Sequence, residues 1–193
     1  KKREKSLNKA LVHLKAERAL ALAQVKVQVQ LDDYRRSLAV SDDASFEDWE
    51  ISQEAMKLEK HHPARVLGNF MRADGRPKPD TNFVAHHIIP GKGRTENAYN
   101  ARIAMHSQGI RISDPDNGAW MPCTRKDKGH WSMPNCMAHS EIHTYNYERW
   151  IFDLVNNEYS ETAFRGKLKS IQALIRDGNH SPSVALPPSA VKD

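Results

Sequence analysis

The sequence predicts an α+β fold, mostly helical, with a strand, hairpin and helix unit at its centre. Most apolar residues recur at helical spacing, and three short stretches read as strands. Six of the ten histidines lie in the stretch that holds those strands and the helix after them, and five of the six (His86, His87, His130, His139 and His143) flank its strands and final helix.

From about Ser6 to Gln24 the chain reads as a helix, because Leu7, Leu11, Leu14, Ala21 and Val25 recur at three- and four-residue steps. Val25, Val27, Val29 and Leu31 then alternate as a strand would, and the length of the segment favours helix. The acidic stretch Ser41 to Glu50 reads as a linker, followed by a short helix through Ala55 to Lys60. Pro63 suits a helix start and Gly75 a helix end, which predicts a helix over Pro63 to Met71 with Val66, Leu67 and Phe70 buried. Phe83 to Ile89 alternates and ends on β-branched residues, so it reads as a strand stopped by Pro90-Gly91.

Thr95 can cap a helix to about Ser107, closed by Gly109. Ile110-Arg111-Ile112 and Ala119-Trp120-Met121 read as short strands around the turn Asp114 to Gly118. One helix is expected from about Ala138 to Asn156 and another from Glu161 to Arg176. Residues 1–60 thus read as a helical lead-in and acidic linker, 61–180 as the domain that carries the site, and 181–193, rich in Pro, Ser and Ala, as a disordered tail.

The 193 residues suffice for one compact domain and are few for two. The longest apolar run, near Ala19 to Ala23, is far below the roughly 20 residues a bilayer span needs, so no membrane partner is expected. No apolar stretch follows the basic Lys1-Lys2-Arg3, and the start on Lys reads as a piece of something longer. Cys123 and Cys136 cannot staple a fold of this size, so a reduced thiol pair in a cytoplasmic setting is expected. Net charge is +5. Residues 1–40 carry ten basic and four acidic side chains, 41–60 two and seven, and 61–143 eleven and seven. The basic excess around the histidines suits a polyanionic partner, and Lys92, Arg94, Arg102, Arg125, Lys126 and Lys128 are candidate phosphate contacts.

His139 and His143, four apart on a predicted helix, can share a metal ion. His86 and His87 are adjacent at a strand end, so their side chains diverge, and one can reach a metal while its neighbour points elsewhere. Phosphodiester hydrolysis needs such a division between metal ligand and general base. Asn117, in the turn before the last strand, is placed to fold back on His87 and fix its ring. The order of strand, hairpin and helix makes a ββα arrangement.

Ala85-His86-His87-Ile88-Ile89-Pro90, Asn117-Gly118-Ala119-Trp120-Met121-Pro122 and His139-Ser140-Glu141-Ile142-His143, in this order, resemble the AHH family. That family belongs to the HNH/endonuclease VII superfamily of ββα-metal nucleases and is common as the C-terminal toxin module of bacterial polymorphic toxins. The resemblance covers roughly residues 63–155 and implies a metal-dependent nuclease with a ββα-metal core, DNA being the usual substrate. It implies that His86, His139 and His143 hold one divalent ion (Mg, Zn or Ni), that His87 is the general base, and that Asn117 orients it. The implied products carry 5′-phosphate and 3′-hydroxyl ends. It further implies delivery into a recipient bacterial cytoplasm as part of a larger protein, type VI secretion being the favoured route, and a cognate immunity protein.

Two rival readings stand beside it: a ribonuclease with the same site, and a non-catalytic nucleic-acid-binding module with a structural zinc. Cys123, His130, Cys136 and His139 supply the donor types for that zinc, at unfamiliar spacing. His61 and His62 read as surface residues, and Tyr145, Tyr147, Trp150 and Phe152 as residues packing the long helix against the core.

Overall fold

The computed structural model describes residues 2–41, 43–61, 63–158 and 160–186. Helix α1 (Lys2–Arg36) runs unbroken through the alternating valines. Its residues 5–26 are exposed, whereas Val27, Leu31 and Tyr34, spaced about one turn apart, turn inwards. Helical rather than strand geometry follows, because this spacing puts all three on one face against the core. The Tyr34 ring lies 5.2 Å from that of Phe70, and its hydroxyl donates to Glu59 Oε1 at 2.7 Å.

Half of the expected acidic linker is helical. Ser45 and Asp48 form a capping box at the start of α2 (Phe46–Lys57), which puts Glu47 and Asp48 at the positive end of the helix. Gln53 on α2 donates to the carbonyl of His106 at 2.7 Å. The end of α1 and the face of α2 that carries Ser52, Gln53 and Met56 therefore pack onto the site-bearing unit.

Helix α3 (Ala64–Ala73) buries Leu67, Gly68, Phe70 and Met71. Strands β1 (Phe83–His87) and β2 (Gly118–Pro122) pair antiparallel with Ala85 opposite Trp120, His86 opposite Ala119 and His87 opposite Gly118. One face of this ribbon packs Phe83, Ala85 and Trp120 on Leu67 and Met71 of α3. A Cβ at Gly118 would come within 2.6 Å of Met71 Sδ, so glycine lets the helix lie close to the ribbon. The other face joins the main core with Ala119 and Met121, built on α4 (Glu96–Ser107), α6 (Tyr145–Val155) and α7 (Glu161–Asp177).

Three expectations are corrected. Ile110-Arg111-Ile112 is not a strand: Ile110 and Ile112 are buried, but Arg111 donates to Glu59 at 3.1 and 3.0 Å, and the chain runs into a 3-10 turn at Pro115–Asn117. The helix expected from Ala138 to Asn156 is split into α5 (His139–Ile142) and α6, because Thr144 accepts from Tyr147 N at 3.0 Å and caps a new helix. The start of the expected disordered tail is docked: Pro182–Ala185 form a 3-10 turn, Val184 is buried, and Asn146 donates to the carbonyls of Ser183 and Leu186 at 3.1 and 2.8 Å. Residues 187–193 lie outside the described residues. Among the described residues no helix is long and apolar enough to cross a membrane.

Candidate metal centre

Side chains alternate along β1, so His87 shares the α3 face with Phe83 and Ala85, while His86 points to the α6 side. There His86 meets His139 and His143, with ring centroids at 5.3 and 5.4 Å. One nitrogen from each of the three rings lies within 4.8 Å of the others, and they are the one such group of histidine, cysteine or acidic side chains among the described residues. His139 Nε2 and His143 Nε2 are 3.0 Å apart. The helix break after Ile142 does not separate them, since His143 is the C-cap of α5.

The trio grades from inside to outside: His86 is buried, His139 half-buried and His143 exposed. Burial holds the pKa of His86 well below the usual histidine value, with His139, His143 and His87 adding repulsion. Burial, then His143, lowers His139 to about 4. His143 is lowered by burial and by Arg94, with Glu148 partly offsetting them. All three rings are thus neutral near pH 7, the state a metal ligand requires. Three converging imidazole nitrogens, open to solvent on the His143 side, fit a divalent cation.

His86 Nε2 and the Tyr147 hydroxyl are 2.8 Å apart, and that hydroxyl donates to the carbonyl of Ile88 at 2.8 Å. Burial pushes the Tyr147 phenol well above its ordinary pKa. Beyond His143 a cleft of about 580 Å³ opens, lined by Arg94, Arg125, Glu141 and Tyr145. A larger cavity, about 680 Å³, lies between α1 and α3, but no histidine lines it. The smaller, polar cleft is the one that His143 lines.

Comparison with known families decides the affiliation. The model of AHH, a nuclease family of the HNH/ENDO VII superfamily with conserved AHH, matches residues 67–176, more than half of the chain. The chain belongs to the AHH family. No curated protein and no solved structure matches it. The family's name-giving triplet is Ala85-His86-His87, and the match ends inside α7.

Within this AHH chain the other candidate residues fall as follows. The His87 ring sits 4.9 Å from that of His61, on the face of β1 opposite the trio. His61, read from sequence as a surface residue, is half-buried, and a Cβ at Gly91 would come within 2.5 Å of its Nδ1. His62 lies outside the described residues.

Asn117 does not grip the His87 ring. Its Oδ1 accepts from Ile89 N at 2.8 Å, and its Nδ2 donates to the carbonyls of Ile89 and Ile112 at 3.1 and 2.8 Å. Both amide protons are used on backbone, so Asn117 fixes the path of the chain just after His87. Its own carbonyl also accepts from Ile88 N at 2.8 Å.

Of the candidate phosphate contacts, Arg94 stands at the cleft, where its guanidinium donates to the His143 carbonyl and lies 5.1 Å from the Tyr145 ring. Arg102 instead donates to the Gly91 carbonyl at 2.6 Å and braces that loop. Arg125 and Lys128 both pair with Glu141, and Lys92 and Lys126 are exposed.

The alternative zinc set does not assemble. His130 turns to Ser132, with Nδ1 to Oγ at 2.8 Å, and Cys136 is fully buried, its thiol pushed up to about 11 by burial. His139 joins His86 and His143 instead.

Sequence reasoning missed Tyr147 as more than a packing residue, and missed Glu148. The buried Glu148 carboxylate accepts from Arg94 N, Thr95 N and Thr95 Oγ1, the last at 2.7 Å, and so fixes the start of α4 beside the cleft. Acidic residues one turn into a helix carry no signal of such a distant partner.

Proposed function

We propose that the chain is a metal-dependent endonuclease with a ββα-metal core that cuts DNA without sequence preference, and that it acts as an antibacterial toxin domain. One observation carries the metal-dependent part: one nitrogen of each of His86, His139 and His143 lies within 4.8 Å of the others. These residues would hold one divalent ion, and an imidazole donor set favours a borderline cation such as zinc or nickel over magnesium, which prefers oxygen. When bound, the ion supplies charge neutralisation on the scissile phosphate and the leaving 3′ oxygen.

His87 takes the proton of the attacking water. It is the last residue of β1, and Asn117 holds the turn behind it, so it stands at the same end of the ribbon as His86. Arg94 and Arg125, on the cleft wall beside His143, bind flanking phosphates. The toxin role, delivery as part of a larger protein into a recipient bacterial cytoplasm, and neutralisation by an immunity protein follow the resemblance to polymorphic toxin modules.

The test is digestion of supercoiled plasmid and, in parallel, total RNA, in Mg²⁺, Zn²⁺ or Ni²⁺, with EDTA and His87→Ala controls. Plasmid is cut with metal, EDTA stops the reaction, and His87→Ala slows it about 10²–10⁴-fold. Digestion of RNA alone overturns the DNA assignment, and a His87→Ala protein cutting at the wild-type rate overturns the mechanism.

A further inference from the structure

The Tyr147 hydroxyl lies 2.8 Å from two buried atoms, His86 Nε2 and the carbonyl oxygen of Ile88. A phenol brings one proton, and a carbonyl can only accept. With that proton on the Ile88 side, the contact to His86 needs a proton on Nε2. The reverse assignment leaves the phenol and carbonyl oxygens facing each other at 2.8 Å with no proton between them, which is repulsive away from water. One tautomer of His86 satisfies all three groups.

We propose that Tyr147 is a positioning residue whose hydroxyl holds His86 in its Nε2-protonated form, so that Nδ1 is the nitrogen this ring gives to a divalent cation. The assignment rests on the metal reading of the trio. Tyr147 is well suited to the task. It is 2% exposed, it sits in the first turn of α6, and its own backbone N–H is held by the Thr144 cap at 3.0 Å. Through the Ile88 carbonyl it also ties the ring to the backbone just beyond the His86-His87 pair. A ligand imidazole that gives its second N–H to a fixed acceptor is both oriented and made a better donor.

Two measurements test this. Long-range proton–nitrogen NMR on the metal-free protein at neutral pH, with His86 assigned from its loss in His86→Gln, shows a single Nε2-protonated ring. An Nδ1-protonated ring in the wild type overturns the proposal, whatever the variants do. Calorimetric titration with Co²⁺ then compares wild type and Tyr147→Phe, which keeps the packing ring. The expected result is one ion per chain in both, bound about 10–100-fold more weakly by the variant. A folded Tyr147→Phe protein with wild-type affinity shows the hydroxyl to be structural only and overturns the proposal while the metal reading stands. A wild type that takes up no Co²⁺ overturns the metal reading itself.

Discussion

Among the described residues, the polar clusters at the turn before β2 and at the end of β1 are built on opposite principles. Around the turn before β2, Asp114 and Asp116 are clamped by arginines from three parts of the chain. Arg35 donates to Asp114 at 3.1 Å, Arg165 to Asp116 at 2.9 Å and to Asp114 at 3.2 Å, and Arg76 to Asp116 at 2.9 Å. Burial works against the charge on Asp114, yet Arg35 and Arg165 hold its carboxyl below the usual range. Unlike charges meet there, and the cluster satisfies itself. At the end of β1 three basic rings meet instead: burial lowers the basicity of His86 and His139, and then His139 and His143 act on His86 and His143 acts on His139. A self-satisfied cluster is scaffold, and this one fixes the loop that carries Asn117. A cluster of converging lone pairs gains most from a cation.

Breaking the scaffold cluster should have the largest effect on stability. Asp114→Asn leaves Arg35 and Arg165 short of a counter-charge. Removing one partner of a fully buried pair costs roughly 3–5 kcal/mol, and with the arginine side chains 34% and 23% exposed about 2–3 kcal/mol is expected. Urea unfolding should show this as a lower midpoint at unchanged slope. A cost below about 0.5 kcal/mol would mean that the clamp is ornamental.

A smaller effect should come from pH, and it separates the clusters by sign and window. The histidines of the trio bind protons more weakly when folded than the unfolded value of about 6.5. The unfolded chain therefore takes up more protons as pH falls, so the metal-free protein is most stable above about pH 6.5 and loses stability towards about pH 4. The lowered Asp114 carboxyl acts only further down, since its contribution is lost as pH falls below the ordinary carboxylate range. The metal-free melting temperature should drop between pH 7 and 4.5, and drop less in a His139→Ala/His143→Ala protein. Equal drops in the two proteins would show that the trio does not set this dependence.

The trio was legible in the sequence because its information is local: a strand end puts His86 and His87 on opposite faces, and a four-residue step joins His139 to His143. The scaffold cluster was not, since its partners lie 40 to 79 residues apart and charge alone does not say which arginine meets which aspartate. The break at Thr144 was missed because Tyr147, Ile151 and Val155 keep a regular four-residue step, and only the five-residue step from Ile142 and the capping threonine mark it. Asn117 was assigned to the wrong partner. A buried amide in a turn finds backbone groups nearer than a neighbouring ring. The docking of Leu31 and Tyr34, and the packing of His61 beside His87, depend on tertiary neighbours that periodicity does not name.

If His86, His139 and His143 together bind one divalent ion, removing two of the three rings removes the ion. The direct measurement is a Co²⁺ titration of metal-free wild-type and His139→Ala/His143→Ala proteins, followed by visible absorption. The wild type should saturate at one ion per chain and the double variant should bind none, with its metal-free melting temperature at neutral pH close to wild type because His143 is exposed and His139 only half-buried. A folded double variant that still takes up one ion with wild-type affinity would contradict the account.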